Sequence, residues 1–200
     1  MRERETGASL LEMVLGLALS GLLVTLGVPA LLDLASQLRV ELAAAEVAST
    51  LRIARAFAIR HGAYVGLKFR VADDGAVTWA LSRDGDGDGV LSADIESGVD
   101  PEVAPVQRLA HFGRQIHFGF PPGEAPRDPA DPRRRLDRLD DPIRFNRSDI
   151  ASFSDFGGST PGSVYVTDGK RHLAAVRVFG RTGKVGRLTY DVASERWLAR

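Results

Sequence analysis

Apolar positions run almost unbroken from Ala8 to Leu32, with no Lys, Arg or Asp and a single acid, Glu12. As a helix, Leu10 to Leu32 would extend ~34 Å at ~1.5 Å per residue, enough for a bilayer core of ~30 Å. From Ser36 to Arg60 the run thins to a stripe: Val40, Ala44, Val47, Leu51, Ala54 and Ala58 recur at gaps of four and three. That spacing predicts an amphipathic continuation of the same helix, with Arg39, Glu46, Ser49, Arg52 and Arg60 largely on the other side. Its alanine-rich register suits close packing on a sheet, and His61-Gly62 supplies a C-terminal cap.

Past Gly62 the period becomes two. Strands are predicted at Tyr64 to Phe69, Val77 to Leu81, Gln115 to Phe120, Ser163 to Thr167, Leu173 to Phe179 and Val185 to Tyr190. Asp73-Asp74-Gly75, Asp168-Gly169 and Arg181-Thr182-Gly183 provide turn chemistry between them. Pro121 to Pro142 is rich in Pro, Arg and Asp with little to bury, and is expected to be a long mobile surface loop. Trp197 is expected to plug the core. The fold class is therefore α+β: a long N-terminal helix, membrane-spanning over 8–33 and amphipathic over 34–61, packed on an antiparallel β-rich domain over 62–200.

Composition changes that picture in two places. The 200-residue chain has no Cys, which excludes thiol catalysis and requires a core that holds without disulfides. The net charge is zero, yet Arg83 to Glu102 carries one basic and seven acidic residues, while Lys170 to Arg200 carries eight basic and two acidic. The neutral total conceals two opposed patches.

A carboxylate within a membrane-length run costs ~2.5 kcal/mol or more at the bilayer centre and calls for a partner. The α-amine that a cut after Gly7 would expose on Ala8 lies four positions before Glu12, on the same helical face. The segment Gly7-Ala8-Ser9-Leu10-Leu11-Glu12-Met13-Val14 resembles the cleavage signature of type IV prepilins and type II secretion pseudopilins, in which a dedicated peptidase cuts after the glycine and methylates the new N-terminus. Glu12 falls at the fifth mature residue, as in that family, and Pro29 at the twenty-second. Two departures stand: the leader balances two arginines with two glutamates, and Ala8 replaces the usual phenylalanine. Farther on, Gly157-Gly158-Ser159-Thr160-Pro161-Gly162, Val164 to Gly169, Phe179 to Lys184 and the Arg83 to Ile95 block are similar to the GspH/FimT type of minor pseudopilin or minor pilin.

The resemblance implies a leader over 1–7, removed by a prepilin peptidase that is also an N-methyltransferase. It implies a single pass through the bacterial inner membrane with a pilin-like domain in the periplasm. The function it implies is that of a low-copy, non-enzymatic subunit that initiates or caps a secretion pseudopilus or a pilus. Its partners would be other pilins or pseudopilins, met through the N-terminal helix, and Glu12 would dock on an α-amine during assembly.

Two charged segments carry readings of their own. Asp84, Asp86 and Asp88 at alternate positions, followed by Gly89, reproduce the first half of a calcium loop, with Val90 offering its carbonyl. The closing glutamate position holds Ile95, between Asp94 and Glu96, so a calcium site would need a modified loop; an ion-free acidic turn is the alternative. Some FimT-like minor pilins are associated with DNA uptake through arginines near the C terminus in a Gly-Arg-x-Arg pattern. The nearest match to that pattern is Gly183-Lys184-Val185-Gly186-Arg187, with Lys184 at the first basic position and glycine at the second. Arg177, Arg181 and Arg187 would neutralise phosphates on one strip; a solvated strand face or a contact to an acidic neighbouring subunit is the alternative. His61, His111, His117 and His172 lack metal-ligand spacing, and no serine sits in a nucleophile elbow, so no enzymatic activity is expected.

Overall fold

The computed structural model describes residues 10–72 and 75–200. The processing positions Gly7 and Ala8, and the turn residues Asp73 and Asp74, lie outside the described residues. Helix α1 runs without a break from Leu10 to His61, 52 residues, and passes through Pro29. At its end Gly62 takes φ +60° and the Ala63 amide donates to Ala58 O at 3.3 Å, a Schellman closure that satisfies the last carbonyls. Glu12 lies in the first turn and Arg60 and His61 in the last, each sign matched to the helix dipole.

The chain divides into two compact units between Gln37 and Leu38. The described part of the first is helix alone, and its large apolar side chains are exposed, from Leu10 at 82% to Leu34 at 50%. Its length and apolarity suffice to cross a membrane.

The second unit holds the rest of α1 and ten strands: β1 (Val65–Val71), β2 (Val77–Arg83), β3 (Gln107–Arg108), β4 (His117–Phe118), β5 (Ile143–Arg144), β6 (Ile150–Phe153), β7 (Gly162–Thr167), β8 (Leu173–Phe179), β9 (Lys184–Asp191) and β10 (Arg196–Ala199). A short helix α2 (Ser92–Ser97) follows β2, and a 3-10 turn (Leu109–Phe112) follows β3. One sheet has the order β3-β2-β1-β6; the other has β10-β9-β8-β7-β4, with β5 also on β7. All pairings are antiparallel.

The stripe Val40, Ala44, Val47, Leu51, Ala54 and Ala58 is buried, joined by Ala43 and Ala48. It belongs to one core with Leu67, Phe69 and Trp79 of the first sheet and Val164, Val166, Val176 and Val178 of the second. Alternate residues of β7, β8 and β9 point the other way: Tyr165, Leu173, Ala175 and Tyr190 form a second cluster with Leu136, Phe120, Leu188 and Trp197. The second sheet is thus packed on both faces.

The segment from Pro121 to Pro142 provides part of that second cover, which corrects the expectation that it has little to bury. Pro126 and Leu136 are buried, and Arg127 and Arg135 pair across a short bridge. Both donate to Glu195 in the β9–β10 turn, at 2.9 and 2.8 Å for their Nη2 atoms, and Trp197 Nε1 donates to Arg127 O at 2.6 Å. Arg144 caps the far end by donating to the carbonyls of Asp137, Arg138 and Asp141. Trp197 packs on Tyr165 and Tyr190 with ring centroids 6.1 and 5.0 Å away.

Candidate functional site

Three places carry the sequence-predicted chemistry. The first is the start of α1, where Glu12 is exposed in the opening turn of a helix whose membrane-length window has no buried residue. Gly16, Gly21 and Gly27 on this stretch meet no side chain within 4 Å of where a Cβ would stand, so no contact among the described residues requires them to be small.

The second is the turn after β2. One carboxylate oxygen each from Asp84, Asp86 and Asp88 lie within 4.8 Å of one another. Asp84 sets the turn: its Oδ1 accepts the amides of Asp86 and Gly87 at 3.2 and 2.7 Å, and its Oδ2 accepts that of Gly89 at 3.1 Å. Gly87 and Gly89 have φ of +95° and +102°, which the winding of three carboxylates toward one point requires. Local desolvation in the turn, followed by the charges of Asp86, Asp94 and Asp84, pushes the Asp88 carboxyl above its ordinary value. The Asp94 carboxyl, in the first turn of α2, is also raised, first by desolvation and then by Asp86, Asp100 and Asp84.

Asp94 therefore belongs to the electrostatic cluster, while Glu96 is an exposed residue of α2 outside the close carboxylate trio. Val90 is 6% exposed, and its side chain fills the space beside Gly66, where a Cβ would stand 2.8 Å away. The residue missed from sequence is Asp100. It is fully buried and closes the loop, accepting the Gly85 amide on Oδ1 at 3.0 Å and the Leu91 amide on Oδ2 at 2.9 Å. It lies within the acidic block, yet nothing in the pattern distinguishes it from its exposed neighbours.

The third place is the basic face. Arg177, Arg181 and Lys184 line one groove of about 750 Å³ on the outer face of the second sheet, with Arg144, Leu136, Tyr165 and Phe179. Burial pushes the Tyr165 hydroxyl up to about 12, against the lowering effect of Arg144. Arg177 stacks over the Phe179 ring at 5.0 Å and donates Nη1 to Pro129 O at 2.8 Å. Arg187 does not join them. It pairs with Val176, whose side chain lies in the helix-facing core, and its Nε is buried with no acceptor in the structure. Its pocket is instead shared with Glu41, Ala44 and Arg200. Arg177, Arg181 and Arg187 therefore do not form one strip. Arg187 lies across from Val176 and Arg177 across from Gly186, so the two arginines project from opposite faces of the sheet, and Lys184, an odd number of positions from Arg187, projects with Arg177.

Arg52 and Arg55 of α1 extend the basic surface around the other side of the 181–184 turn, in a pocket with Thr182, Gly183 and Lys184. No charge pattern linked these helix residues to the C-terminal cations in the sequence. Comparisons with protein-family models, curated proteins and solved structures found no match.

Proposed function

We propose that the chain is a minor pseudopilin or minor pilin of the GspH/FimT type. In this reading it is a non-enzymatic subunit that takes part in initiating or capping a secretion pseudopilus or a type IV pilus. The observation that supports the reading most is α1 itself: an exposed apolar half with a carboxylate in its opening turn, continuous in the chain with an alanine-rich half that is the spine of a β-rich unit. In this reading the first half is held by lipid before assembly and by other subunits' helices afterwards. Glu12 then neutralises an exposed α-amine between packed helices, where low dielectric strengthens the pair. The subunit sits in the bacterial inner membrane with its larger unit in the periplasm.

Two substitutions test the two halves of the claim. Gly7→Val should leave the precursor uncut, seen as a retained leader by intact-mass measurement; normal processing would remove the peptidase from the account. Glu12→Ala should be processed yet fail to enter filaments, scored by shearing and immunoblotting, and normal incorporation would remove the docking role.

The carboxylate cluster favours calcium as an accessory ligand, held by Asp84, Asp86 and Asp88 with Asp94 beside them. Desolvation and then mutual repulsion raise the Asp88 and Asp94 carboxyls, and a bound cation would offset the repulsion. Millimolar calcium is therefore expected to raise Tm by mass action at neutral pH, and Asp86→Asn with Asp88→Asn to abolish the rise. No thermal shift would sink this part. DNA binding through Arg177, Arg181 and Lys184 is the alternative function; a gel shift that appears at low salt and fades at high salt would favour it.

A further inference from the structure

Phe156 is 94% exposed, more than any leucine of the membrane-length helix segment. It stands on a turn with little freedom. The Ser154 carbonyl accepts the Gly157 amide at 2.9 Å, the Ser154 hydroxyl accepts the Gly158 amide at 3.1 Å, and Ser154 N returns a bond to Gly158 O at 2.9 Å. Gly157 has φ +79°, and a Cβ on it would stand 3.1 Å from Arg55 Nη2 and 3.4 Å from Ile59 Cδ1, so the turn lies directly on α1.

Cations lie beside the turn. Arg55 donates to Gly157 O and Arg52 to Val185 O, both carbonyls, so neither charge is compensated by that bond. Lys184 lines the same pocket. The Asp155 carboxylate, next to it in the chain, accepts the Phe156 amide. A fixed aromatic knob with a basic collar is an arrangement that stabilises an interface when the ring enters a desolvated pocket and the collar meets acids.

The same unit carries a surface of the opposite kind. A pocket of about 420 Å³ is lined by Val71, Val77, Phe118, Phe120, Leu139 and Ile143, and its rim includes Asp140, Asp141 and Asp149. Crowding is visible there, because burial and the Asp141 charge raise the Asp149 carboxyl against the opposing pull of Lys68. The acidic turn at Asp84 to Asp88 offers charge, but its close trio consists of carboxylates and provides no apolar seat for a ring.

Knob and pocket lie at opposite ends of β6. Asp149 immediately precedes Ile150, Phe156 lies beyond Phe153, and the strand between them is ~13 Å long. One copy cannot fill its own pocket with its own knob. We propose that the Phe156 knob docks in the Asp140–Asp141–Asp149 pocket of a second copy of this chain. The contact is heterologous, joining two different surfaces, and such contacts propagate as open lines unless a rotation closes them. It involves the larger unit alone, and so goes beyond the proposed function and stands or falls separately from it.

The absence of cysteine makes the contact directly testable in the full chain in detergent. Ile59→Cys places a thiol beside the knob, and Val71→Cys places one at the pocket; both positions are exposed. Mixed and mildly oxidised, the two variants should give a disulfide heterodimer well above that of Ile59→Cys with Val192→Cys, a control that shares any association through the helices. Phe156→Ala in the Ile59→Cys partner should remove the excess, with its melting unchanged because the ring makes no core contact. Lys184→Glu in one partner should lower the yield about two- to fivefold, and Asp140→Lys in the other should restore it. A yield no higher than the control overturns the proposal, as does a yield indifferent to Phe156→Ala or to the charge exchange.

Discussion

Arg187 shows how much of a residue's role is set by which face of a strand it occupies. In the sequence it is one more cation in a basic C-terminal stretch; in the fold its Nε is buried with no acceptor. A buried donor that lacks its acceptor costs about 1–3 kcal/mol, whereas an apolar side chain of similar length in that place incurs no such cost. Arg187→Met is therefore expected to leave the fold intact and raise the unfolding free energy by about 1 kcal/mol in urea titrations. A loss of stability would mean that the guanidinium contributes more through its remaining contacts than its Nε forfeits. Gly162 presents the opposite case. A Cβ there would stand 2.2 Å from Phe145 Cδ1 and 2.4 Å from Arg144 O, one of them a backbone atom in a paired strand. Gly162→Ala should cost about 1–3 kcal/mol by the same measurement, the range for overpacking a closed site.

Among the elements, the segment from Pro121 to Pro142 is the one whose behaviour follows most directly from its charges. Glu195 joins it to the β9–β10 turn, and hydrogen bonds from Arg135 and then Arg127 hold the Glu195 carboxyl below its ordinary value. A carboxyl lowered in the folded state contributes stability above its unfolded pKa, and that contribution is lost as pH falls through the folded value. The protection of the amides in 125–136, taken relative to their intrinsic exchange rate at each pH, should therefore fall on acidification below the ordinary glutamate range, ahead of global unfolding. Glu195→Gln should exchange faster at neutral pH and show no such acid step; an unchanged acid step in that variant would move the clamp to other residues.

The same segment shows where sequence reasoning reaches its limit. Helix α1 was legible because its stripe repeats through several turns, and the strands β1, β2, β7, β8 and β9 because each is a run of six residues or more rich in strand-forming side chains and bounded by turn residues. Two-residue strands such as β3, β4 and β5 carry no period, and the expected strand at Gln115 to Phe120 contracts to His117–Phe118. The cover depends on Arg127 and Arg135 reaching a glutamate 68 and 60 positions away, a pairing that local pattern does not encode. At the candidate sites the trio Asp84, Asp86 and Asp88 was legible from spacing, whereas buried Asp100 was not. The separation of Lys184 from Arg187 was available from parity alone once β9 was assigned.

At the scale of the whole molecule, all the residues of the two cores lie between Val40 and Trp197, and the described residues before Leu38 contribute none. Hydrophobic stabilisation follows apolar area removed from water, and the described residues of the first unit hold no buried side chain. The contact boundary after Gln37 then predicts that a chain beginning at Leu38 keeps its whole core, with the stripe from Val40 to Ala58 still seated. Such a fragment should be soluble without detergent, show mixed helix and strand by circular dichroism, and unfold in one cooperative transition. Its Tm should match that of the full chain in detergent to within a few degrees, the ~2–4 °C that a difference of about 1 kcal/mol moves a domain of this size. A fragment that melts far lower, or without cooperativity, would show that the apolar half of α1 supports the fold as well as the membrane. Matching transitions would leave that half free to exchange lipid for other helices while the larger unit stays folded, which is the physical condition that the proposed assembly requires.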